Sequence, residues 1–288
     1  MSEILEATPI VNENINYIEK EITNIHNNYS IYPTFLLIRI GENPADMAYE
    51  KIILKKTNEA RIICKQLLLD KSITQSELED IISEANEAND IHGIMIFRPL
   101  PEHLCYDDIA ELINPLKDID CMNYHNLEKL FTNKNVVFTP CTAQAALDML
   151  EYYKVPLKGK HVCIVGTSMV VGRPLEMLLF EKMATITMCN IYTNDLQSIT
   201  QKAEIVISAI GNAKFFNKDF FKPDTTIIDI GVSLDKNNKQ CGDVDFDNVE
   251  GYVKAISPMR NGVGSITTTV LLKNIVKACK TLQYINNM

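Results

Sequence analysis

The chain has 288 residues, of which 46% are hydrophobic and 23% are charged, and its formal net charge at pH 7 is −9. This composition is ordinary for a globular protein, and the acidity argues against nucleic acid as a partner, because binding phosphate requires a basic face. The N-terminus lacks a basic region followed by an apolar stretch, and no window approaches roughly 18 uninterrupted apolar residues, so we predict neither a secretory signal nor a membrane span.

The first half of the sequence alternates helices with short apolar strands. Apolar residues at intervals of three and four predict an opening helix over 11–25. A strand follows at 34–40, and Asn43-Pro44 leads into a helix that carries Tyr49. Thr74 and Glu77 have the spacing of a capping box and predict a third helix, and 93–97 predicts a second strand. Such alternation is typical of parallel strand pairing.

The second half has the pattern of a nucleotide-binding domain. After a helix over 140–153, the order is a strand at 161–165, a glycine loop, a helix over 173–183 and a strand at 184–189. Two β-branched strands, 205–210 and 226–230, each run into a glycine, and a further strand is predicted at 252–256. The last helix is predicted over 269–285, after a Gly262-Val-Gly264 turn.

The loop from Gly166 to Gly172 joins a predicted strand to a predicted helix. Glycines allow a tight turn and close backbone approach, and a helix N-terminus offers free N–H groups to an anion. The spacing differs from that of the dinucleotide fingerprint, and the absence of a lysine after the second glycine excludes a nucleoside-triphosphate P-loop. With two further strands that end in glycine, a dinucleotide site is favoured over a purely structural turn.

Cysteine and histidine are scattered along the chain. The eight cysteines form no CxxC pair, and the five histidines show no metal-ligand spacing. This pattern is typical of reduced thiols in a cytoplasm, and we therefore predict a cytoplasmic protein with no disulfide framework and no metal site.

Seven short motifs follow one another along the chain: Gly41-Glu-Asn-Pro-Ala45 with Tyr49, Pro99-Leu-Pro101, Lys117-Asp-Ile-Asp120, Pro140-Cys-Thr142, Gly166-Thr-Ser-Met-Val-Val-Gly172, Gly242-Asp-Val-Asp-Phe246, and Gly262-Val-Gly264 with Thr267. In this order they resemble the methylenetetrahydrofolate dehydrogenase/cyclohydrolase family. The resemblance implies a two-domain α/β fold, with a catalytic folate-binding domain over 1–145 that is completed by 268–288. A Rossmann-like dinucleotide-binding domain is expected over 146–267, and a homodimer is implied.

The resemblance also implies the site residues. Tyr49 would orient the pterin, and Asp120 would accept hydrogen bonds from its amino and N–H groups. The expected pocket lining is Ile53, Phe97, Arg260 and Gly264, and the expected dinucleotide contacts are Gly166, Thr167, Ser168, Gly172, Asn190, Val232 and Thr267. Simpler interpretations stay open: Tyr49 as a packing residue, Asp120 as a turn cap, Lys117 as a partner of Asp118, and Arg260 as a surface residue or a contact of the folate glutamate tail.

Departures from the family pattern are concentrated on the folate side. Where the family has the lysine of Tyr-x-x-x-Lys, this chain has Ile53, and where it has a glutamine before Pro-Leu-Pro, this chain has Phe97. Cys121 replaces a glycine, and Met259-Arg260-Asn261 replaces Val-Pro-Gly. Hydride abstraction needs an aligned substrate rather than a titrating side chain, whereas hydrolysis of the methenyl cation needs an acid–base group. We therefore predict a dehydrogenase with weak or absent cyclohydrolase activity.

The cofactor side departs from the pattern as well. Thr167 replaces the usual arginine, and Asn190-Ile191-Tyr192 replaces His-Ser-Arg, so no positive charge is supplied to a 2′-phosphate. This favours NAD over NADP, with tetrahydrofolate as the carrier of the one-carbon substrate. Three alternatives stay open: an enzyme of the same fold with a changed substrate, a bifunctional enzyme in which Lys56 or Arg98 substitutes as the base, and a non-catalytic dinucleotide-binding protein.

Overall fold

A computed structural model describes residues 1–286, so residues 287 and 288 of the predicted 268–288 segment lie outside the described residues. The chain divides into two compact units, each described by itself below. One unit comprises Met1–Asn12 and Thr142–Thr267, and the other comprises Glu13–Cys141 and the chain from Thr268 onward. The predicted domains of 1–145 with 268–288 and of 146–267 differ from these units in the placement of 1–12 and 142–145.

The secondary-structure elements are given in chain order. The strands are β1 (Glu3–Ile4), β2 (Thr34–Ile40), β3 (Ile63–Leu69), β4 (Gly93–Ile96), β5 (His161–Val165), β6 (Thr185–Cys189), β7 (Ile205–Ser208), β8 (Thr226–Asp229), β9 (Ser233–Leu234), β10 (Gln240–Cys241) and β11 (Ala255–Ile256). The α-helices are α1 (Thr8–Tyr29), α2 (Pro44–Glu59), α3 (Gln75–Glu87), α4 (Tyr106–Leu112), α5 (Tyr124–Thr132), α6 (Cys141–Tyr152), α7 (Gly172–Glu181), α8 (Leu196–Lys202), α9 (Phe246–Val249) and α10 (Val263–Asn286).

The unit that contains Tyr49 is built on a three-stranded parallel sheet in the order β3-β2-β4. Strand β2 lies at the centre and is buried over almost its whole length, as its unbroken apolar sequence predicts. Helix α3 begins at the predicted capping box, in which Thr74 and Glu77 each accept a backbone N–H of the other. Strand β3 is missing from the sequence-based description because Lys65 and Gln66 interrupt its apolar pattern at the exposed edge of the sheet.

The other unit contains a six-stranded parallel sheet in the order β1-β11-β8-β7-β5-β6. The chain moves from β5 outward to β6 and then returns to the other side of β5 to form β7. The direction of winding therefore reverses between β5 and β7, and ligands bind at such switch points in open α/β sheets. Strand β1 explains the N-terminal difference from the predicted domains, because Glu3 and Ile4 pair with Ala255 and Ile256 of β11.

The last helix begins earlier than the predicted residue 269. Val263 is the first residue of α10, so the Gly262-Val-Gly264 motif forms its first turn rather than a separate loop. The Thr267 hydroxyl donates to the Val263 carbonyl oxygen at 3.1 Å, which is a helical i to i−4 contact. Helices α4 and α5 are missing from the sequence-based description because segments of seven and nine residues provide too few turns to show a period.

Candidate functional site

Tyr49 projects from α2 into an enclosed, partly apolar environment. Its ring meets the edge of the Phe97 ring, with centroids 6.2 Å apart and planes at 85°. Burial raises the pKa of the Tyr49 hydroxyl above its ordinary value, and the nearby Cys141 and Asp120 raise it further, against a hydrogen bond with the Thr268 side chain. The phenol therefore stays protonated at neutral pH and acts as a hydrogen-bonding group rather than as a base.

Ile53 lies one helical turn after Tyr49 and is fully buried. The role of Ile53 as lining of the substrate pocket stays a prediction. Phe97 is also buried and closes the same region from the end of β4. The Lys56 ammonium, on the same helix, pairs with Glu59 at 2.8 Å.

Asp118 performs the turn-capping role that the sequence left open for Asp120. Its carboxylate accepts three hydrogen bonds of 2.8–2.9 Å from the Met122 and Asn123 backbone N–H groups and the Asn126 amide. Burial raises the pKa of Asp118, and these three donors oppose that shift. Asp118 thereby fixes the turn after Asp120.

Lys117 is structural, and the interpretation of it as a partner of Asp118 is wrong. Its ammonium is buried and donates to three carbonyl oxygens at the C-terminal end of α3, those of Ala85, Asn86 and Ala88, at 2.7–2.9 Å. A helix C-terminus has unsatisfied carbonyl groups, so a cation is the favourable partner there.

With its neighbours accounted for, Asp120 faces a partner that the sequence did not identify. The Arg98 guanidinium donates to Oδ2 of Asp120, whereas the nearby Cys141 thiol donates to the Ile119 carbonyl oxygen at 3.5 Å. Burial lowers the pKa of Arg98, but Asp120 and Tyr106 outweigh it, and the net pKa lies above the ordinary value. A signal existed in the sequence, because Arg98 lies two residues after β4 and Asp120, of opposite charge, ends the Lys117–Asp120 segment. Their pairing was not readable from the sequence, and the parallel bridge between Ile94 and Asp118 brings the two segments together.

The glycine loop after β5 lies at the switch point of the six-stranded sheet. Gly166 has φ +130°, and a side chain there would place Cβ 2.3 Å from the Ala209 carbonyl oxygen after β7. At Gly172, Cβ would lie 1.8 Å from the Gly166 carbonyl oxygen, so the loop closes on itself without room for a side chain. The Ser168 hydroxyl accepts the Val171 N–H at 3.1 Å and stabilises the loop just before α7.

One cation belongs to this loop although the sequence analysis did not single it out. Arg173, in the first turn of α7, is exposed; its Nε donates to the Thr167 carbonyl oxygen at 3.1 Å. After β6, Asn190 is exposed and its side-chain oxygen accepts the Tyr192 N–H at 2.8 Å, which forms a tight turn. The residues predicted to contact a ribose therefore lie in solvent at the carboxyl end of β6.

Two buried carboxylates lie at the carboxyl ends of β7 and β8. The Ser208 hydroxyl is 3.2 Å from Oδ1 of Asp229 and 2.8 Å from Oδ2 of Asp243. Asp243 also accepts the Ile210 and Asn212 N–H groups, each at 2.8 Å, and so shapes the loop after β7. Burial raises the pKa of Asp229 to about 7.

The remaining predicted residues lie in the same unit as the glycine loop. Val232 follows β8 and is exposed, whereas Thr267 is buried. Arg260 lines a cavity of about 300 Å³ together with Lys214, Lys239 and Cys241. Gly264 is exposed, and a Cβ there would meet open space. Arg260 and Gly264 therefore belong to a different unit from Tyr49, Ile53, Phe97 and Asp120.

Two features are absent from residues 1–286: a membrane-spanning helix and a cluster of metal-ligating side chains. None of the helices described there is both long and apolar enough to cross a membrane. Within the same residues, no group of three or more His, Cys, Asp or Glu side chains is arranged to hold a metal ion.

Comparison with known proteins gives matches over both halves. Residues 5–120 match the tetrahydrofolate dehydrogenase/cyclohydrolase catalytic domain, and residues 140–283 match the NAD(P)-binding domain of the same family. The chain is 43% identical over 251 residues to the bifunctional protein FolD of Clostridium botulinum, and this match covers 87% of this chain and 89% of that protein.

Solved structures agree with the sequence matches. A bifunctional FolD methylenetetrahydrofolate dehydrogenase/cyclohydrolase from Campylobacter jejuni superposes with a TM-score of 0.94 at 32% identity, over 98% of this chain and 99% of that one. The Trypanosoma brucei methylenetetrahydrofolate dehydrogenase-cyclohydrolase, in complex with NADP and an inhibitor, has a TM-score of 0.92 at 26% identity, over 97% and 98%. The two-domain α/β fold is thereby confirmed.

Proposed function

Because the chain belongs to the tetrahydrofolate dehydrogenase/cyclohydrolase family, we propose that it oxidises 5,10-methylenetetrahydrofolate to 5,10-methenyltetrahydrofolate by hydride transfer to NAD, with weak or absent cyclohydrolase activity. The observation that carries this proposal is the chemistry of the side chains around Tyr49. Tyr49 and Asp120 offer hydrogen-bonding groups that can orient a pterin, whereas Ile53 and Phe97, at the positions of the family's lysine and glutamine, offer no acid–base group.

The oxidation step makes few demands on side-chain chemistry. The carbon that loses hydride lies between two nitrogens whose lone pairs stabilise the resulting cation, so no proton has to be moved. The requirement is that this carbon approaches the nicotinamide to about 3–3.5 Å in an aligned pose. Tyr49 and Asp120 supply a phenol and a carboxylate for orienting the pterin, and the apolar Phe97 ring excludes water beside them.

Hydrolysis of the methenyl cation needs a group that takes a proton from water and delivers it to a leaving nitrogen. Ile53 and Phe97 have no such group, and Lys56 is paired with Glu59 away from the core. Arg98 carries a permanent charge, because its pKa lies above the ordinary value beside Asp120. Tyr49 stays protonated as well, in this case because burial raises the pKa of its hydroxyl.

The preference for NAD rests on the turn after β6, where Asn190, Ile191 and Tyr192 supply no positive charge to a 2′-phosphate. NADP is the second candidate, and one observation favours it: Arg173 holds its guanidinium against the Thr167 carbonyl, beside the position where the family has arginine. The related Trypanosoma brucei structure contains NADP.

The test uses the purified full-length chain with methylenetetrahydrofolate and each cofactor at equal concentration, and with methenyltetrahydrofolate for hydrolysis. We expect reduced nicotinamide to form faster with NAD, and methenyl hydrolysis to stay near the uncatalysed rate. Arg173→Gln identifies the cofactor role: activity with NAD is retained, and any residual activity with NADP falls. Robust hydrolysis of methenyltetrahydrofolate would refute the proposed weak or absent cyclohydrolase activity. Faster turnover with NADP would refute the proposed preference for NAD.

The resemblance also supports a homodimer as the working assembly. Sedimentation equilibrium across a range of protein concentrations tests this directly, and a mass that stays at 32.6 kDa would contradict it.

A further inference from the structure

Arg98 forms an enclosed ion pair with Asp120 at the folate side. The exposed fractions of the Arg98 and Asp120 side chains are only 11% and 18%. One arm of the guanidinium donates to Oδ2 of Asp120, and the other lies 3.5 Å from the Tyr106 hydroxyl oxygen. Because both arms are engaged, the guanidinium is held in one orientation.

An ion pair that is this enclosed is not explained by stability alone. The desolvation of two charges offsets most of their attraction, so buried pairs contribute little to folding on balance. The Arg39–Glu50 pair of the same unit is also buried, with exposed side-chain fractions of 8% and 7%, whereas the Lys56–Glu59 and Lys65–Asp90 pairs lie nearer the surface, where they incur less desolvation. What distinguishes the Arg98–Asp120 pair is that Asp120 also lies near the Tyr49 hydroxyl, so the pair belongs to the candidate folate side.

The carboxylate of Asp120 keeps acceptor capacity after meeting Arg98. A carboxylate has about four lone-pair sites, of which the Arg98 N–H uses one. The Arg98 guanidinium has N–H donors but no acceptor, so the N–H groups of a ligand can hydrogen-bond only to the carboxylate of this pair. The contact with Arg98 fixes the plane of the Asp120 carboxylate.

We propose that Arg98 is a positioning residue for folate recognition, which holds the Asp120 carboxylate so that its remaining lone pairs face the adjacent amino and N–H donors of a 2-amino-4-oxopyrimidine ring. This inference rests on the proposed folate-oxidising function. The pocket thus has its positive charge after β4 instead of at position 53 of α2, and that charge orients an acceptor rather than transferring a proton.

A double-mutant cycle with Arg98→Met and Asp120→Asn tests the inference. In Arg98→Met we expect the KM for methylenetetrahydrofolate to rise about 10- to 100-fold, as for loss of a charge-assisted hydrogen bond, while kcat changes less and the KM for NAD is unchanged. Arg98→Lys restores part of the loss. In the Asp120→Asn background, Arg98→Met adds less than about twofold, because its effect passes through Asp120. Lys56→Met, which removes a surface cation from α2, leaves all constants unchanged.

The results that would overturn the inference are as specific as those that would support it. An unchanged or lower KM in Arg98→Met, or the same rise in the Asp120→Asn background, overturns the inference. If Arg98→Met does not fold, Arg98→Lys decides the matter, because it keeps the charge but lacks the planar fork: a raised KM with an unchanged melting temperature supports the inference, and an unchanged KM overturns it. A wild-type chain without turnover refutes the proposed function instead, so the two failures are distinct.

Discussion

Asp229 at the end of β8 makes the stability of this protein depend on pH in a direction that the structure specifies. Burial raises the pKa of its carboxyl group from 3.8 to about 7, and the charge of Asp243 adds to that effect, against the N–H groups of Val244, Asp243 and Gly231. The folded state therefore binds a proton more tightly than the unfolded state does. The contribution of Asp229 to stability is fully present at and below the unfolded pKa, is lost as pH rises from there through about 7, and is constant above that.

The magnitude follows from the size of this shift. A difference of about three pKa units at about 1.36 kcal/mol each corresponds to a loss of about 4 kcal/mol between pH 4 and pH 8. This is an upper bound, because Ser208 and Asp243 share the same hydrogen-bonded cluster. Asp229→Asn keeps the shape of the side chain but has no proton to lose, so the variant lacks this component.

The assay is urea unfolding of both proteins at several pH values between about 5 and 8. At the acidic end we expect Asp229→Asn to be less stable by about 1–3 kcal/mol, since the amide has one acceptor fewer for the Gly231, Asp243 and Val244 N–H groups. The gap closes as pH rises. Asp247→Asn, at an exposed position in the same unit, is the matched control and should show a constant offset. A constant offset for Asp229→Asn as well would refute the reasoning.

Three further predictions follow from the sites. Lys117→Met removes the ammonium donor from three carbonyl oxygens, of which only that of Ala88 keeps another recorded donor, the Ile91 N–H, and lowers the free energy of unfolding by about 3 kcal/mol. Lys20→Met, at an exposed position of α1, changes it little, and equal urea midpoints for Lys117→Met and the wild type would contradict this prediction. Gly172→Ala places Cβ 1.8 Å from the Gly166 carbonyl oxygen, so the loop must move; the KM for NAD should rise about tenfold or more in steady-state assays while the KM for the folate holds. Ile53→Lys with Phe97→Gln should raise methenyl hydrolysis about 100-fold without being needed for NADH formation. If reduced nicotinamide formed only in that double variant, the geometric account of hydride transfer would be wrong.

Several elements are predictable because their cause is local. Strands β2 and β5 have the predicted bounds, since an unbroken apolar run between polar turns specifies a buried strand whatever surrounds it. The capping box at Thr74 is local in the same sense. The glycine loop could be recognised from its own residues. The requirement for glycine at position 166, however, comes from the carbonyl oxygen of Ala209, 43 residues later in the chain.

The sequence by itself determined the family, the alternation of strands and helices, and the absence of a lysine and a glutamine from the folate side, because each of these is a property of residue identity and order. Tertiary structure alone decided which acidic residue of the Lys-Asp-Ile-Asp run is structural and which is paired. Asp118 and Asp120 are two residues apart and chemically identical, and only the parallel bridge from β4 turns one toward backbone N–H groups and the other toward Arg98. The N-terminal strand is a similar case, since Glu3 and Ile4 become a strand only through β11, which lies about 250 residues away in the chain. Contacts between distant residues carry no local pattern, and that is why these features come from the fold.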